Sequence, residues 1–390
     1  MPRIPRTHQA VLLVAPALLI AAIGCRDDTA LPVGPDFTTA PLAAAVAPLS
    51  FRHISTGSSH ACGVATDDRA YCWGGSTSRP AAVPTDLRFR EVRAGAYFTC
   101  GLTTDSRIYC WGANDIGQLG NGSSDPSSDV PVQVAGSRRY SLLRVGLFHA
   151  CANAMSGATF CWGANYYGQL GDGTTTNRRS PRKVIGGFTF AGLNAGGANT
   201  CGVTSSNQAY CWGANNSGQL GQGNSVERHS PVAVKGGLAF AQVSAGGGHS
   251  CGVTTDHKGY CWGSGASGQL GYGETGRRGL PVAVAGGLAF SGISTGSAHT
   301  CGTTILKRVY CWGFNGAGQV GDGTSGNLRL TPVPVAGDLR FDAVLASFNA
   351  YSCGIATDGR GYCWGENTLG YLGDGTTDNR STPTPIAPPI

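Results

Sequence analysis

Apolar and polar positions alternate in short runs along most of the chain, and no stretch after residue 24 keeps a helical 3.6-residue period. One copy of the pattern spans residues 238–286. Residues 238–244 alternate as a short strand, and Gly246-Gly247-Gly248 then permits a close backbone approach. Residues 249–254 and 259–263 read as two more strands, joined by a tight turn at Thr255-Asp256-His257-Lys258. After a Gly-rich loop, Pro281-Val282-Ala283-Val284 supplies a fourth strand. Its Pro is placed at the strand start, where no ladder donor is needed.

This unit recurs seven times. Each Trp of the chain lies in Cys-Trp-Gly, at Trp73, Trp111, Trp162, Trp212, Trp262, Trp312 and Trp364. A second Cys stands ten residues before each of those cysteines. The pairs are Cys62 with Cys72, Cys100 with Cys110, Cys151 with Cys161, Cys201 with Cys211, Cys251 with Cys261, Cys301 with Cys311, and Cys353 with Cys363. The first Cys recurs after 38, 51, 50, 50, 50 and 52 residues. The first copy is short because it lacks the loop that elsewhere reads like Gly168-Gln169-Leu170-Gly171-Asp172-Gly173-Thr174. Four short strands per copy, seven times over, predict an all-β fold, a seven-bladed β-propeller of four-stranded blades. The last copy stops after its fourth strand at Thr382-Pro383-Thr384-Pro385-Ile386, and Leu49-Ser50-Phe51-Arg52-His53-Ile54 stands alone at the other end. The expectation is that these N- and C-terminal strands share one blade and close the ring, which also removes open edges.

The first residues read as an address. Arg3 and Arg6 precede an uninterrupted apolar and small run of 15 residues, 10–24. That is the length of a signal-peptide core, short of the roughly 20 residues needed to span a bilayer. Ala22-Ile23-Gly24-Cys25 resembles a bacterial lipobox, whose Cys is acylated and becomes the mature N-terminus, with Ala22 where Leu, Val or Ile is usual. A plain secretory signal with an incidental Cys25 is the alternative. Residues 1–24 are thus expected to be a signal peptide, 25–47 a lipidated flexible tether rich in Ala, Pro and Thr, and 48–390 the propeller. The implied place is the bacterial cell envelope, periplasmic or on the outer membrane or surface.

Composition narrows the function. The 62 Gly in 390 residues argue against a mostly helical protein, and the 41% hydrophobic content argues against global disorder. A net charge of +6 is too modest and too spread out for a nucleic-acid-packaging protein, so no nucleic-acid partner is expected. Fifteen Cys do not suit a reducing cytosol unless they bind metal. Two Cys ten residues apart around a tight turn face each other on a hairpin, as a cross-strand disulfide requires. Seven such pairs leave one Cys over, Cys25, which lipidation accounts for. The rival is zinc held by His-x-Cys plus the second Cys. It needs a fourth ligand, and the His is present only as His60, His149, His249 and His299, with Phe98, Asn199 and Tyr351 in the other copies.

The string Val243-Ser244-Ala245-Gly246-Gly247-Gly248-His249-Ser250-Cys251-Gly252-Val253, followed by Tyr260-Cys261-Trp262-Gly263 and Gly268-Gln269-Leu270-Gly271, resembles the regulator of chromosome condensation repeat. The resemblance covers residues 49–390 and implies a seven-bladed propeller. It departs at the cysteines, where Cys251 stands at a usual apolar core position and Cys261 at a small variable one. Members of that family include exchange factors for a nuclear GTPase and a secreted inhibitor of β-lactamases, which act through a propeller face or its loops and form no covalent intermediate. Exchange activity fits an exported chain poorly, whereas an inhibitor-like or adhesion-like role fits it better.

Candidate chemistry is sparse. Gly263-Ser264-Gly265-Ala266-Ser267-Gly268 matches G-x-G-x-x-G, but it falls within the repeat, with Gly265 where other copies have Asn114, Asn165, Asn215, Asn315 and Asn367. A dinucleotide site would need a parallel strand and a helix around it. The Asp172, Asp322 and Asp374 loops offer one acid each, against the roughly 6–8 oxygens that calcium takes, so turn chemistry accounts for them. No nucleophile elbow, phosphate loop or H-E-x-x-H is present, and no catalytic residue, metal or cofactor is expected. The Trp residues are repeat positions and read as packing. The residues before the fourth strand are repeatedly basic: Arg178, Arg179, Arg228, Arg277, Arg278, Arg329 and Arg380. As one position of each repeat they should ring one face, able to receive an acidic protein or an anionic glycan, or else serve as a solvated face. Tyr166, Tyr167, Tyr272, Phe314 and Tyr371 are loop aromatics that either make contacts with a partner or pack between blades. The reading is an exported, lipid-anchored, monomeric propeller that binds an unknown protein or glycan without catalysis. An envelope polysaccharide hydrolase or lyase is the alternative, and it predicts a non-repeated cluster of acids or His at the channel mouth.

Overall fold

The computed structural model describes residues 47–390, so the signal segment, Cys25 and the tether up to residue 46 lie outside the described residues. Twenty-eight strands form seven four-stranded antiparallel sheets, and no helix occurs among the described residues. The sheets cover residues 51–82, 89–133, 140–183, 190–233, 240–283, 290–334 and 341–385, blades one to seven. In each the strands lie in chain order. First strands of successive blades, such as Phe240–Ala245 and Phe290–Thr295, touch one another around the central channel, and the fourth strands are outermost.

The closure of the ring differs from the expectation. Phe51–Thr56 pairs with Ala61–Ala65 as the first strand of blade one, and blade seven is complete without it. Each copy already contains four strands when counted from its Phe-led strand, so none has to be exchanged. The ends meet across the seam between blades instead. Ser50 bridges Arg360, Phe51 N donates to Gly359 O at 2.9 Å, and Ile390 N donates to Pro80 O at 3.0 Å. The fourth strands also begin earlier than expected: Arg278–Ala283 places Pro281 inside the strand, at a register shift between Cys261 and Gly263. The strand is outermost, so the missing N–H deprives no neighbour.

Each apolar core is an interface between two blades rather than the interior of one. Cys201, Val203, Cys211 and Leu220 of blade four pack with Phe240, Val243 and Trp262 of blade five, and the same arrangement recurs around the ring. The glycines of the second strands make room for it. A Cβ on Gly252 would lie 2.5 Å from the Phe240 ring, so the aromatic sits flat on the neighbouring strand only because the side chain is absent.

All seven expected disulfides are formed. Cys62 is bonded to Cys72, Cys100 to Cys110, Cys151 to Cys161, Cys201 to Cys211, Cys251 to Cys261, Cys301 to Cys311, and Cys353 to Cys363. Each joins direct cross-strand partners on the second and third strands of a blade, with Cα atoms 4.0–4.1 Å apart. Cys110, Cys161, Cys311 and Cys363 are fully buried within the inter-blade cores, as are their partners. A sulfur committed to a disulfide offers no thiolate to zinc.

The Trp residues pack, as their repetition implies. Trp162, Trp212, Trp262, Trp312 and Trp364 are buried, and each indole N–H donates to the Gln carbonyl in the long loop of the preceding blade at 2.9–3.0 Å. At the seam Trp73 uses the Tyr371 carbonyl, at 3.0 Å. Trp111 is the exception, because blade one turns directly from Ala70–Gly74 into Thr77–Ala82 and has no such loop; its ring stays partly exposed. The core between blades one and two is correspondingly small.

Candidate functional site

In a four-stranded antiparallel blade the first-to-second and third-to-fourth connections emerge on one face of the ring, and the second-to-third turn on the other. The residues chosen from sequence fall on the first of these faces. Arg178, Arg228, Arg278, Arg329 and Arg380 open their fourth strands, and Arg179 and Arg277 are adjacent. Most of them are engaged by the protein itself. Arg178, Arg329 and Arg380 pair through Nε with Asp172, Asp322 and Asp374 at 2.8, 2.6 and 3.0 Å. Burial would raise the Asp172 carboxyl, but hydrogen bonds from Thr174 and Arg178 outweigh it and hold the group below its usual range. Arg179 donates to the Ser123 carbonyl and Arg277 to the Asn224 carbonyl and the Ser225 hydroxyl, each in the preceding blade. Arg278 pairs with Glu274 at 3.1 Å and lies 4.7 Å over the Tyr272 ring. Arg228 has Gln222 in its loop where Asp172 stands in blade three. The basic ring therefore fixes loop shape and ties blades together before it offers charge to anything else.

The aromatics divide in two. Tyr371 is buried, stacked on Tyr351 at 5.4 Å, and Tyr272 lies under its Arg. Tyr166, Tyr167 and Phe314 stand out from the long loops at 58%, 41% and 40% exposure. Sequence reasoning missed Tyr97 and Phe148, which occupy equivalent short-loop positions in blades two and three and are 65% and 36% exposed. Their loops are joined by Ala96 N donating to Leu147 O at 2.9 Å.

A buried polar ladder runs between blades at the His position. The Nε2 atoms of His60, His149 and His249 lie 2.6, 2.8 and 2.8 Å from the hydroxyls of Thr99, Thr200 and Thr300, and that of His299 lies 3.0 Å from Ser352 Oγ. Thr200 donates its proton to the Gln169 carbonyl at 2.8 Å, as do Thr300 to Gln269 and Ser352 to Gln319. The imidazole Nε2 must then be the donor, which fixes the neutral tautomer. Burial holds His60, His149 and His299 at a pKa of about 4 and His249 at about 3.

Inside the channel the repeat is broken. Fifth positions of the first strands form a ring of Ser55, Arg93, Arg144, Asn194, Ser244, Ser294 and Leu345. Glu91 Oε2 accepts from Arg93 Nη2 at 2.6 Å and Arg144 Nη1 at 3.4 Å, and lies 4.0 Å from His53 Nε2, while Oε1 accepts from Leu143 N at 3.2 Å. Burial would raise the Glu91 carboxyl, yet the two guanidiniums hold it at about 2. Such a group keeps no proton for general-acid work at neutral pH. Burial, reinforced by Arg93, keeps His53 well below 6.5 and neutral. Burial and the charge of Arg93 bring Arg144 down to about 9, which still leaves it charged. Beside this cluster the channel widens to a cavity of about 370 Å³. The sequence signal was a departure from the repeat: His53, Glu91, Arg93 and Arg144 are charged or ionisable where other copies have Gly192, Asn194, Gln242, Ser244, Gly292 and Ser294.

Comparisons with known proteins match this geometry. A family model described as regulator of chromosome condensation (RCC1) repeat matches residues 105–152, 156–203, 206–253, 256–302 and 358–390. A second model of that description matches 51–78, 89–118, 190–219, 240–269 and 290–319. Among solved structures, human WBSCR16 is 18% identical, with 80% of this chain and 85% of that one covered and a TM-score of 0.73. Yeast RCC1 (Prp20), in complex with Kap60, is 20% identical over 81% and 83%, at 0.72. The ectodomain of the Arabidopsis thaliana receptor kinase ACR4 is 21% identical over 85% and 98%, at 0.54.

Proposed function

The chain belongs to the regulator of chromosome condensation repeat family, and from that premise we propose that it is an exported, lipid-anchored binding propeller that works without catalysis. The observation that carries the binding role is the loop face on which Tyr97, Phe148, Tyr166, Tyr167 and Phe314 stand exposed, the last three on long loops braced by Asp–Arg pairs and the first two on short loops joined by a backbone hydrogen bond. Exposed aromatics on a stiff support are the residues from which contact hot spots are made. The yeast relative is described in complex with Kap60 and by its binding to Gsp1p and histones, which supports partner binding as the use of the fold. Seven disulfides support an oxidising compartment, and the 10–24 apolar run ending at Cys25 supports export and acylation. The partner is an envelope protein or an anionic glycan, and the protein meets it as a monomer.

The test is capture on intact cells with the oxidised protein as bait, beside a bait carrying Tyr97→Ser and Tyr166→Ser. The variant should lose at least ten-fold of the retained partner while its unfolding midpoint is unchanged; equal retention by the two baits sinks this face as the site. Aromatic substitutions are preferred to Arg reversals, because Arg178→Glu would break the Asp172 pair and disturb the loop itself. For the anchor, Cys25→Ser should move the protein from the membrane fraction to the soluble fraction and abolish incorporation of labelled palmitate. Continued membrane association of the variant would contradict acylation at Cys25.

A further inference from the structure

We propose that the central channel is a binding site for a small carboxylate ligand, held by Arg93 and Arg144 and received in the cavity beside them. Arg93 and Arg144 bring two positive charges, Glu91 one negative, and His53 none in its neutral form. One positive charge is left over in a recess where the side chains of Arg93 and Arg144 are only 18% and 23% exposed. Solvent screens such a charge poorly, and a single anion is what neutralises it. The acid on the far wall, Asp342, is already paired with Lys307 at 3.0 Å.

The unused hydrogen-bonding capacity has one sense. Arg93 uses Nε and Nη2 on Glu91, and Arg144 uses Nε on Leu193 O and Nη1 on Leu143 O and Glu91. Among the described residues, no hydrogen-bond partner is found for Arg93 Nη1 or Arg144 Nη2. Asn194 Oδ1 and Ser294 Oγ accept the backbone N–H groups of Ala245 and Ala346, which leaves the Asn194 amide N–H and the Ser294 hydroxyl proton to donate. Gln242 is occupied with both backbone groups of Ile293. What remains on Arg93, Arg144, Asn194 and Ser294 is therefore donors, and the ligand complementary to these side chains is rich in acceptors. A planar carboxylate suits a guanidinium fork, and further ligand oxygens suit Asn194 and Ser294.

The space is also present. The cavity of about 370 Å³ is bounded by Gly192, Ala241, Gly292 and Ala343, so much of its wall carries no long side chain. A Cβ on Gly192 would meet no heavy atom within 4 Å. The volume is that of a small-molecule pocket rather than of a water site. This inference does not rest on export or on a protein partner.

The experiment uses the oxidised full chain and isothermal titration at low salt with three probes: D-glucuronate, D-glucose and inorganic phosphate. Glucuronate should bind saturably at one site and raise the thermal midpoint. Glucose should give no heat, and phosphate should bind at least ten-fold more weakly than glucuronate. Arg144→Gln leaves Glu91 matched by Arg93 alone and should weaken glucuronate at least ten-fold. Should that variant fold poorly, Gly192→Leu decides, since its side chain enters open space and should block the cavity at an unchanged unfolding midpoint. Equal binding of glucuronate and glucose, tighter binding of phosphate, or full binding by Gly192→Leu would each overturn the proposal.

Discussion

Replacing Cys251 and Cys261 together by Ala should cost this propeller about 3–5 kcal/mol, and complete reduction should leave it unfolded at 37 °C. The first part of that cost is chain entropy. A bridge ten residues apart closes a short loop, for which the entropy model gives roughly 2.5–3 kcal/mol. The rest is packing, because both sulfurs are fully buried in a core with Val253, Leu270, Phe290 and Trp312, and their removal leaves a void between blades five and six. The seven costs do not simply add, since neighbouring blades share each core. They need not add, because a total stability of about 5–15 kcal/mol is exceeded by a few of them. Guanidinium unfolding of the oxidised, reduced and double-Ala proteins measures this. The order of reduction is a second readout: Cys72 alone of the fourteen paired cysteines is partly exposed, so a mild reductant followed by alkylation and mass spectrometry should label Cys62 and Cys72 first. A reduced protein with the midpoint of the oxidised one would show that the bridges hold nothing.

The elements that repeat were legible in the sequence, because a repeat states its pattern seven times. The four-stranded unit, the Cys pairing and the packing role of the Trp residues followed from spacing, while the start of the fourth strand did not. Phase was harder. A cyclic pattern carries no mark of where a unit begins, so Phe51–Thr56 could be assigned to either side of the seam, and only its pairing with Ala61–Ala65 decides. The Arg residues open their fourth strands on one face, but their pairing was overlooked, although Asp172 and Arg178, Asp322 and Arg329, and Asp374 and Arg380 lie six or seven residues apart in one loop. The channel cluster was out of reach for a different reason. Glu91 and Arg144 are 53 residues apart, and they meet only because the curvature of the ring brings first strands together. Their sole trace in the sequence is a charge standing where other copies are small or neutral.

Acid should destabilise the protein well before its carboxylates titrate, with stability falling from about pH 6.5 towards pH 4. The imidazoles of His60, His149 and His299 are held at about 4 and that of His249 at about 3, against 6.5 for the exposed group. In this window the unfolded chain takes up protons that the native state refuses, so the stability is whole above pH 6.5, declines as pH falls, and levels off below the native values. Each imidazole held at about 4 contributes up to about 3 kcal/mol, and that of His249 more. The depressed carboxyls act lower down: Asp172, Asp322 and Asp374 sit below their usual range and Glu91 at about 2, so their share is lost only as pH falls through those values. His53, low for its own reasons of burial and Arg93, adds a fifth proton to the same window. The geometry gives the cause. With Nε2–H committed to Thr200 or Thr300, a proton added to Nδ1 of His149 or His249 would find no acceptor among the described residues, where neither atom has a hydrogen-bond partner. The free energy of unfolding, measured by urea titration from pH 8 to pH 4, should therefore rise with pH at a slope approaching four to five protons. His249→Asn should reduce the slope by one, since the fold already uses Asn199 at this position, reaching Ser250 Oγ through Nδ2 at 3.3 Å. A flat profile above pH 4 would mean that the ladder accepts protons freely, and the neutral tautomer assigned to it would be wrong.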